Sequence, residues 1–112
     1  MTETTFATKR SLPRFSFTAE AEVTAVHTGA HLVAHLSELS ANGCYIDTPE
    51  GFPVSTQLRL SIQYGGSRCD LVGRAIYKHD GWGMGVVFEN VGREQRAVLD
   101  FWLAEVARKT KS

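Results

Sequence analysis

The sequence predicts a mainly β fold: a small six-stranded antiparallel β-barrel with a C-terminal α-helix and a flexible N-terminal arm. Three observations predict it. Apolar and polar residues alternate through several short runs, the period of strands with one wet face. Glycine- and proline-bearing turns separate those runs. Only the last segment switches to the 3.6-residue period of an amphipathic helix. Short antiparallel strands followed by one such helix are buried economically as a closed sheet with the helix packed on it.

Residues 1–8 show no apolar periodicity and are expected to form a flexible lead-in to a single domain over 9–108, with 109–112 as a tail. Pro13 disfavours helix at Leu12, so the segment from Arg10 to Arg14 is extended or turned. Phe15, Phe17, Ala19, Ala21, Val23 and Ala25 then share one strand face, with Ser16, Thr18, Glu20, Glu22 and Thr24 opposite. Thr28-Gly29 turns the chain into a second strand, with Leu32, Ala34 and Leu36 inward and His31, His35 and Ser37 outward. Asn42-Gly43 reads as a tight turn, since both residues tolerate positive φ. It leads into a short strand from Gly43 to Thr48, and the following Pro49–Pro53 stretch is too proline-rich for a central strand.

Leu58, Leu60, Ile62 and Tyr64 mark the fourth strand. Gly65-Gly66 makes a hairpin into residues 69–79, and Asp80-Gly81 makes another into Trp82–Glu89. In that last strand Trp82, Met84, Val86 and Phe88 are expected to share a face. Val98, Leu99, Trp102, Leu103 and Val106 form the helix stripe, with Asn90 as its expected cap. Trp102 reads as core. Phe101, at the edge of the stripe, is assigned to core packing ahead of a partner-binding strip shared with Leu103.

At 112 residues the chain is long enough to bury roughly two thirds of its unfolded surface without a metal or disulfide. Its formal net charge is zero, so no global field draws in long nucleic acid, and no DNA or RNA partner is expected. Positive charge is concentrated locally: residues 1–14 carry Lys9, Arg10 and Arg14 against Glu3. Cys44 and Cys69 lack metal-ligand spacing and are expected to be reduced thiols in a cytoplasmic protein. No charged-then-apolar leader is visible, and no apolar run approaches the ~18 residues of a membrane span.

Catalytic and metal chemistry find no support. His27, His31 and His35 recur every four residues, but on a strand that interval spans ~13 Å, too far for one ion. The glycines of Gly81–Gly85 lack the strand-to-helix context of a phosphate loop and are read as relieving a curved strand. Asp47, Glu50 and Asp70 fall in ordinary turn or surface positions. The chain is expected to be a non-enzyme with no metal and no resident cofactor.

The informative chemistry lies in Arg10-x-x-x-Arg14 and, one strand later, Glu38-x-Ser40-x-x-Gly43. Two planar arginine forks four residues apart on a proline-stiffened segment are suited to gripping planar or phosphorylated anions. A small hydroxyl offers a donor at close range, and a glycine lets backbone approach a ligand without a Cβ. Either element alone is an ordinary solvated face or turn. Their conjunction, in this order and followed by the remaining strands and the helix, resembles the PilZ family, whose domains bind cyclic di-GMP through RxxxR and (D/N)xSxxG. Val72-Gly73-Arg74-Ala75-Ile76-Tyr77 and Gly83-Met84-Gly85-Val86-Val87-Phe88 are similar to that family's GxV…GxGVxF strand pair, so the resemblance covers about residues 9–105.

The resemblance implies a bacterial second-messenger receptor. In it Arg10 and Arg14 grip base and phosphate, Glu38 reads a guanine edge, Ser40 makes a polar contact and Gly43 is the point of close approach. Tyr77 falls where the family often carries an aromatic near the base, though core or rim packing accounts for it equally. Lys9 stands where some members carry a further arginine and take a stacked ligand pair, so stoichiometry stays open. Glu38 departs from the family's Asp or Asn, and its extra methylene moves the carboxylate outward by roughly 1–1.5 Å, comparable to the tolerance of a hydrogen bond. Losing one such contact costs about 1–3 kcal/mol, a factor of about 5 to 150 in affinity. The expectation is cyclic di-GMP binding, weakened, with the arginine arm closing over the ligand to alter the surface shown to a protein effector. The alternative is an adaptor of the same fold that no longer binds nucleotide.

Overall fold

The computed structural model describes residues 14–111, with side chains through Lys109; Lys9 and Arg10 lie outside the described residues. Six strands are formed: β1 (Phe15–Ala25), β2 (His31–Leu39), β3 (Gly43–Asp47), β4 (Gln57–Tyr64), β5 (Ser67–His79) and β6 (Gly83–Glu89). They close into a barrel in the order β1-β2-β3-β6-β5-β4, and every neighbouring pair, including β1 with β4, is antiparallel. Closure removes the unpaired edges that an open sheet of this size would expose. The α-helix, α1 (Arg93–Lys111), follows and extends into the residues assigned to a tail.

The period-two pattern is realised directly in β1, where Phe17, Ala19, Ala21, Val23 and Ala25 are buried and the intervening Glu20 and Glu22 are exposed. Leu36, Leu39, Ile46, Leu58, Leu60, Ile62 and Met84 complete an aliphatic interior. Leu99, Trp102 and Val106 of α1 are buried against it. The Trp102 ring lies 5.6 Å from Phe17 and 5.7 Å from Tyr64, and those two rings are 4.4 Å apart. This aromatic trio fastens the helix to β1 and β4. Among the described residues no helix is long and apolar enough to cross a membrane.

Three local expectations need correction. Trp82 does not share the buried face of β6: it lies in the turn after Asp80-Gly81, donating its N–H to the His79 carbonyl at 2.9 Å, and is 76% exposed. Asn90 does not cap α1. It takes φ 50°, and the first helical bond, from Arg96 N–H to the Gly92 carbonyl at 2.8 Å, makes Gly92 the cap position. Phe101 is 63% exposed rather than packed, although Leu103 rests against the core.

The barrel wall is interrupted at one level by three register shifts, between Ser16 and Ala19, between Leu36 and Glu38, and between Ala75 and Tyr77. On β2, opposite β3, the extra residue is Ser37, because Leu36 opposes Ile46 and Glu38 opposes Tyr45. On β5 it is Ile76, because Ala75 opposes Val86 and Tyr77 opposes Gly85. Strict alternation from Leu36 and Ala75 would turn Glu38 and Tyr77 inward. Each bulge reverses the parity, so Leu39 is buried while Glu38 and Tyr77 reach the outer wall.

Candidate functional site

Register sets five positions in one row across the outside of the barrel: Ser16 opposes Glu38, Glu38 opposes Tyr45, Tyr45 opposes Gly85, and Gly85 opposes Tyr77. Arg14, just before β1, stands at the end of this row. Its Nη1 lies 3.7 Å from Glu38 Oε1, and the two side chains are 54% and 46% exposed. An ion pair this wet and this long contributes little to stability, so both groups remain available to a ligand.

The turn after β2 is tightly organised. Ser40 is 9% exposed; its N–H donates to the Gly43 carbonyl at 2.9 Å and its Oγ donates to the same oxygen at 3.3 Å. Asn42 N–H donates to Ser40 Oγ at 3.3 Å. The serine hydroxyl thus serves the turn itself. Phe88 N–H donates to the Asn42 carbonyl at 2.7 Å, and Arg96 Nη1 of α1 donates to the Ala41 carbonyl at 2.8 Å, pinning the turn to β6 and to the helix. Although both tolerate positive φ, neither Asn42 nor Gly43 takes it in this turn. Gly43 is required for another reason: a Cβ there would collide with the Val86 carbonyl oxygen of β6, so only glycine lets β3 and β6 approach as they do.

Farther along the row lies a group the sequence reading missed. The rings of Tyr45 and Tyr77 are 6.2 Å apart, and the His79 ring is 5.8 Å from Tyr45 and 5.2 Å from Tyr77. Tyr45 Oη and His79 Nδ1 are hydrogen-bonded at 3.0 Å. The two tyrosine rings lie over bare backbone. A Cβ on Gly83 would meet Tyr45 Cε2 at 2.7 Å, and one on Gly85 would collide with the Tyr77 ring. These glycines are beds for aromatic rings, an arrangement seen when aromatics cover strand glycines. The signal was present as Gly83-x-Gly85 beside an outward-facing Tyr45. Desolvation, then the proximity of Tyr77, Asp47 and Glu38, raises the Tyr45 hydroxyl above its ordinary value, so it stays a neutral phenol.

The structure therefore brings Arg14, Glu38, the Ser40–Gly43 turn and Tyr77 onto one wall. They form an open face. A concavity of about 600 Å³ on the described residues, lined partly by Glu20, His35, Gln63 and Arg68, includes none of them. Elsewhere His31 Nδ1 is hydrogen-bonded to Thr24 Oγ1 at 3.0 Å on the wet side of β2. Among the described residues no cluster of three His, Cys, Asp or Glu is arranged to hold a metal. Burial pushes the Cys44 thiol up to about 12; desolvation, then Asp70, pushes Cys69 to about 11, so neither offers a thiolate near neutral pH.

A closed six-stranded antiparallel barrel with a packed C-terminal helix, and an arginine facing an acid-x-Ser-x-x-Gly turn, defines the class of domain. The chain belongs to the PilZ domain family, whose model matches residues 8–105. No curated protein matches it. Among solved structures, the PilZ domain of CeSA from a cellulose-synthesizing bacterium is similar, with 18% identity, a TM-score of 0.63, and 78% of this chain and 90% of that one covered. The PilZ domain of YcgR from Escherichia coli, solved with c-di-GMP, has 14% identity and a TM-score of 0.73, covering 92% of this chain and 95% of that one. The Bacillus subtilis inhibitor of motility, MotI/DgrA, has 15% identity and a TM-score of 0.69 over 89% of this chain; the aligned region is 52% of that chain.

Proposed function

We propose that this protein is a cytoplasmic receptor for cyclic di-GMP that acts without catalysis and without a resident cofactor. The carrying observation is the meeting of Arg14 with Glu38 beside the Ser40–Gly43 turn, within a PilZ barrel. The c-di-GMP-bound YcgR domain of the same fold supports the choice of ligand. Arg14 exchanges its weak contact with Glu38 for a charge-assisted contact to phosphate or to a guanine edge. The released carboxylate accepts from guanine N1–H and N2–H₂, while Arg10, and Lys9 beside it, offset the ligand's two negative charges. The Ser40–Gly43 turn contributes its shape to the ligand more than a free hydroxyl, while the missing Cβ of Gly43 serves the wall. Closure of the arginine arm over the wall then remodels the surface presented to a protein effector.

Calorimetric titration with cyclic di-GMP, with GTP as control, tests this reading. Saturable heat with cyclic di-GMP alone is expected, and Arg14→Ala should weaken it by about 10-fold or more, as loss of a charged hydrogen bond does. Its melting temperature should barely change, because the Arg14–Glu38 pair is exposed. No heat up to hundreds of micromolar from folded protein would reject the ligand assignment and leave the nucleotide-independent adaptor.

A further inference from the structure

We propose that Tyr45, together with Tyr77 and His79, forms an aromatic floor on which a purine base of the ligand lies, with Tyr45 as an added binding residue. The inference rests on the cyclic di-GMP reading and names the surface its base contacts. Tyr45 is the direct strand neighbour of Glu38, one strand spacing of about 4.8 Å away. A base held by its edge at Glu38 therefore extends across the Tyr45 ring.

The ring is oriented for this. Because the Tyr45 ring reaches over the position a Gly83 Cβ would occupy, it lies along the strand surface rather than standing off it. The hydrogen bond between its hydroxyl and His79 Nδ1 limits how far it can swing away. Tyr77, held likewise over Gly85 and 37% exposed, continues the surface, with interplanar angles of 32° to 43° among the three rings. A neutral phenol adds no negative charge beside the ligand's phosphates, and stacking on an aromatic face suits any purine. Glu38 at the edge of the floor supplies the preference for guanine, which offers the N1–H and N2–H₂ donors.

The test compares wild type, Tyr45→Leu, Tyr45→Phe and Arg14→Ala by calorimetry with cyclic di-GMP and by proton NMR of the ligand. Tyr45→Leu keeps an apolar strand residue and removes the ring; its affinity should fall about 5- to 150-fold, the range spanned when a stacking aromatic is removed. Tyr45→Phe keeps the ring and should stay within about 3-fold of wild type, since it gives up only one exposed hydrogen bond. The guanine H8 resonance should move upfield with wild type and Tyr45→Phe, and less so with Tyr45→Leu. Wild-type affinity in Tyr45→Leu, with Arg14→Ala impaired, overturns the floor and leaves the receptor reading standing. Absence of binding by wild type overturns both. Should Tyr45→Leu fail to fold, the wild-type complex decides: cross-relaxation between guanine H8 and the Tyr45 ring protons is expected, and its absence refutes the inference.

Discussion

Replacing Gly43 with alanine sets a methyl carbon against the Val86 carbonyl oxygen, at a separation that real Cβ atoms essentially never show. That oxygen is backbone of β6, held in the ladder where Gly43 opposes Val87 and Cys44 opposes Val86, so no side-chain rotation relieves the contact. Strand β3 has to move off β6, and the Ser40 turn, tied to Gly43 by two hydrogen bonds, moves with it. Overpacking of this kind costs typically 1–3 kcal/mol, and a backbone-on-backbone clash belongs near the top of that range. At roughly 4–8 °C per kcal/mol for a domain near 100 residues, about 3 kcal/mol lowers Tm by about 12–24 °C. Thermal unfolding followed by circular dichroism, without ligand, measures it. A Gly43→Ala protein melting within about 2 °C of wild type, yet weaker for cyclic di-GMP, would refute the reasoning: the glycine would then serve the ligand and not the wall.

The remaining predictions concern the carboxylates. Glu38→Asp should tighten cyclic di-GMP binding by about 5-fold or more in calorimetry, by drawing the carboxylate back to the reach the family uses; unchanged or weaker binding would show that this chain's site is adjusted to the longer acid. The Asp70 carboxyl is held below its ordinary value by its hydrogen bond from Arg68, and Glu89 by its hydrogen bond from Arg74. Groups depressed on folding contribute stability above their unfolded values near 4, and lose it as pH falls through the folded values. The urea midpoint should therefore fall below pH 4, shallowly because Asp70 is exposed and Glu89 only partly buried, and fall less in an Arg68→Gln/Arg74→Gln variant. Equal acid sensitivity in the two proteins would rule out these pairs as its source.

Much of the barrel was legible because its strands keep the local period intact. The alternating residues of β1 and β4, the Gly65-Gly66 hairpin and the 3.6-residue stripe ending at Val106 each carry their own signal. The Arg14, Glu38 and Ser40–Gly43 grouping was likewise readable, because its parts sit in short motifs. What escaped depends on closure of the whole sheet. Ser37 and Ile76 are ordinary strand residues, and nothing local marks them as the points where a curved wall takes an extra residue. The role of Tyr45 depends on Gly83, which faces it only once β3 and β6 have paired. Trp82 was assigned inward by extending the β6 alternation one residue too far into a turn. Asn90 was given the cap on residue type alone, whereas Gly92 occupies that position.

The bulge at Ser37 shapes this stretch of β2 by bending it and leaves the order of inward and outward residues around it regular. Many side chains could replace Ser37 without changing which neighbours face the solvent. Removing it leaves Leu36 inward, Glu38 outward and Leu39 inward by simple alternation, but takes away the bend and twist of the bulge and the Ser37 Oγ hydrogen bond to Asp47 Oδ1 at 2.9 Å. A one-residue deletion there would therefore keep the same side chains facing out while straightening the wall that carries them, whereas a point change at the same place costs at most that one exposed hydrogen bond.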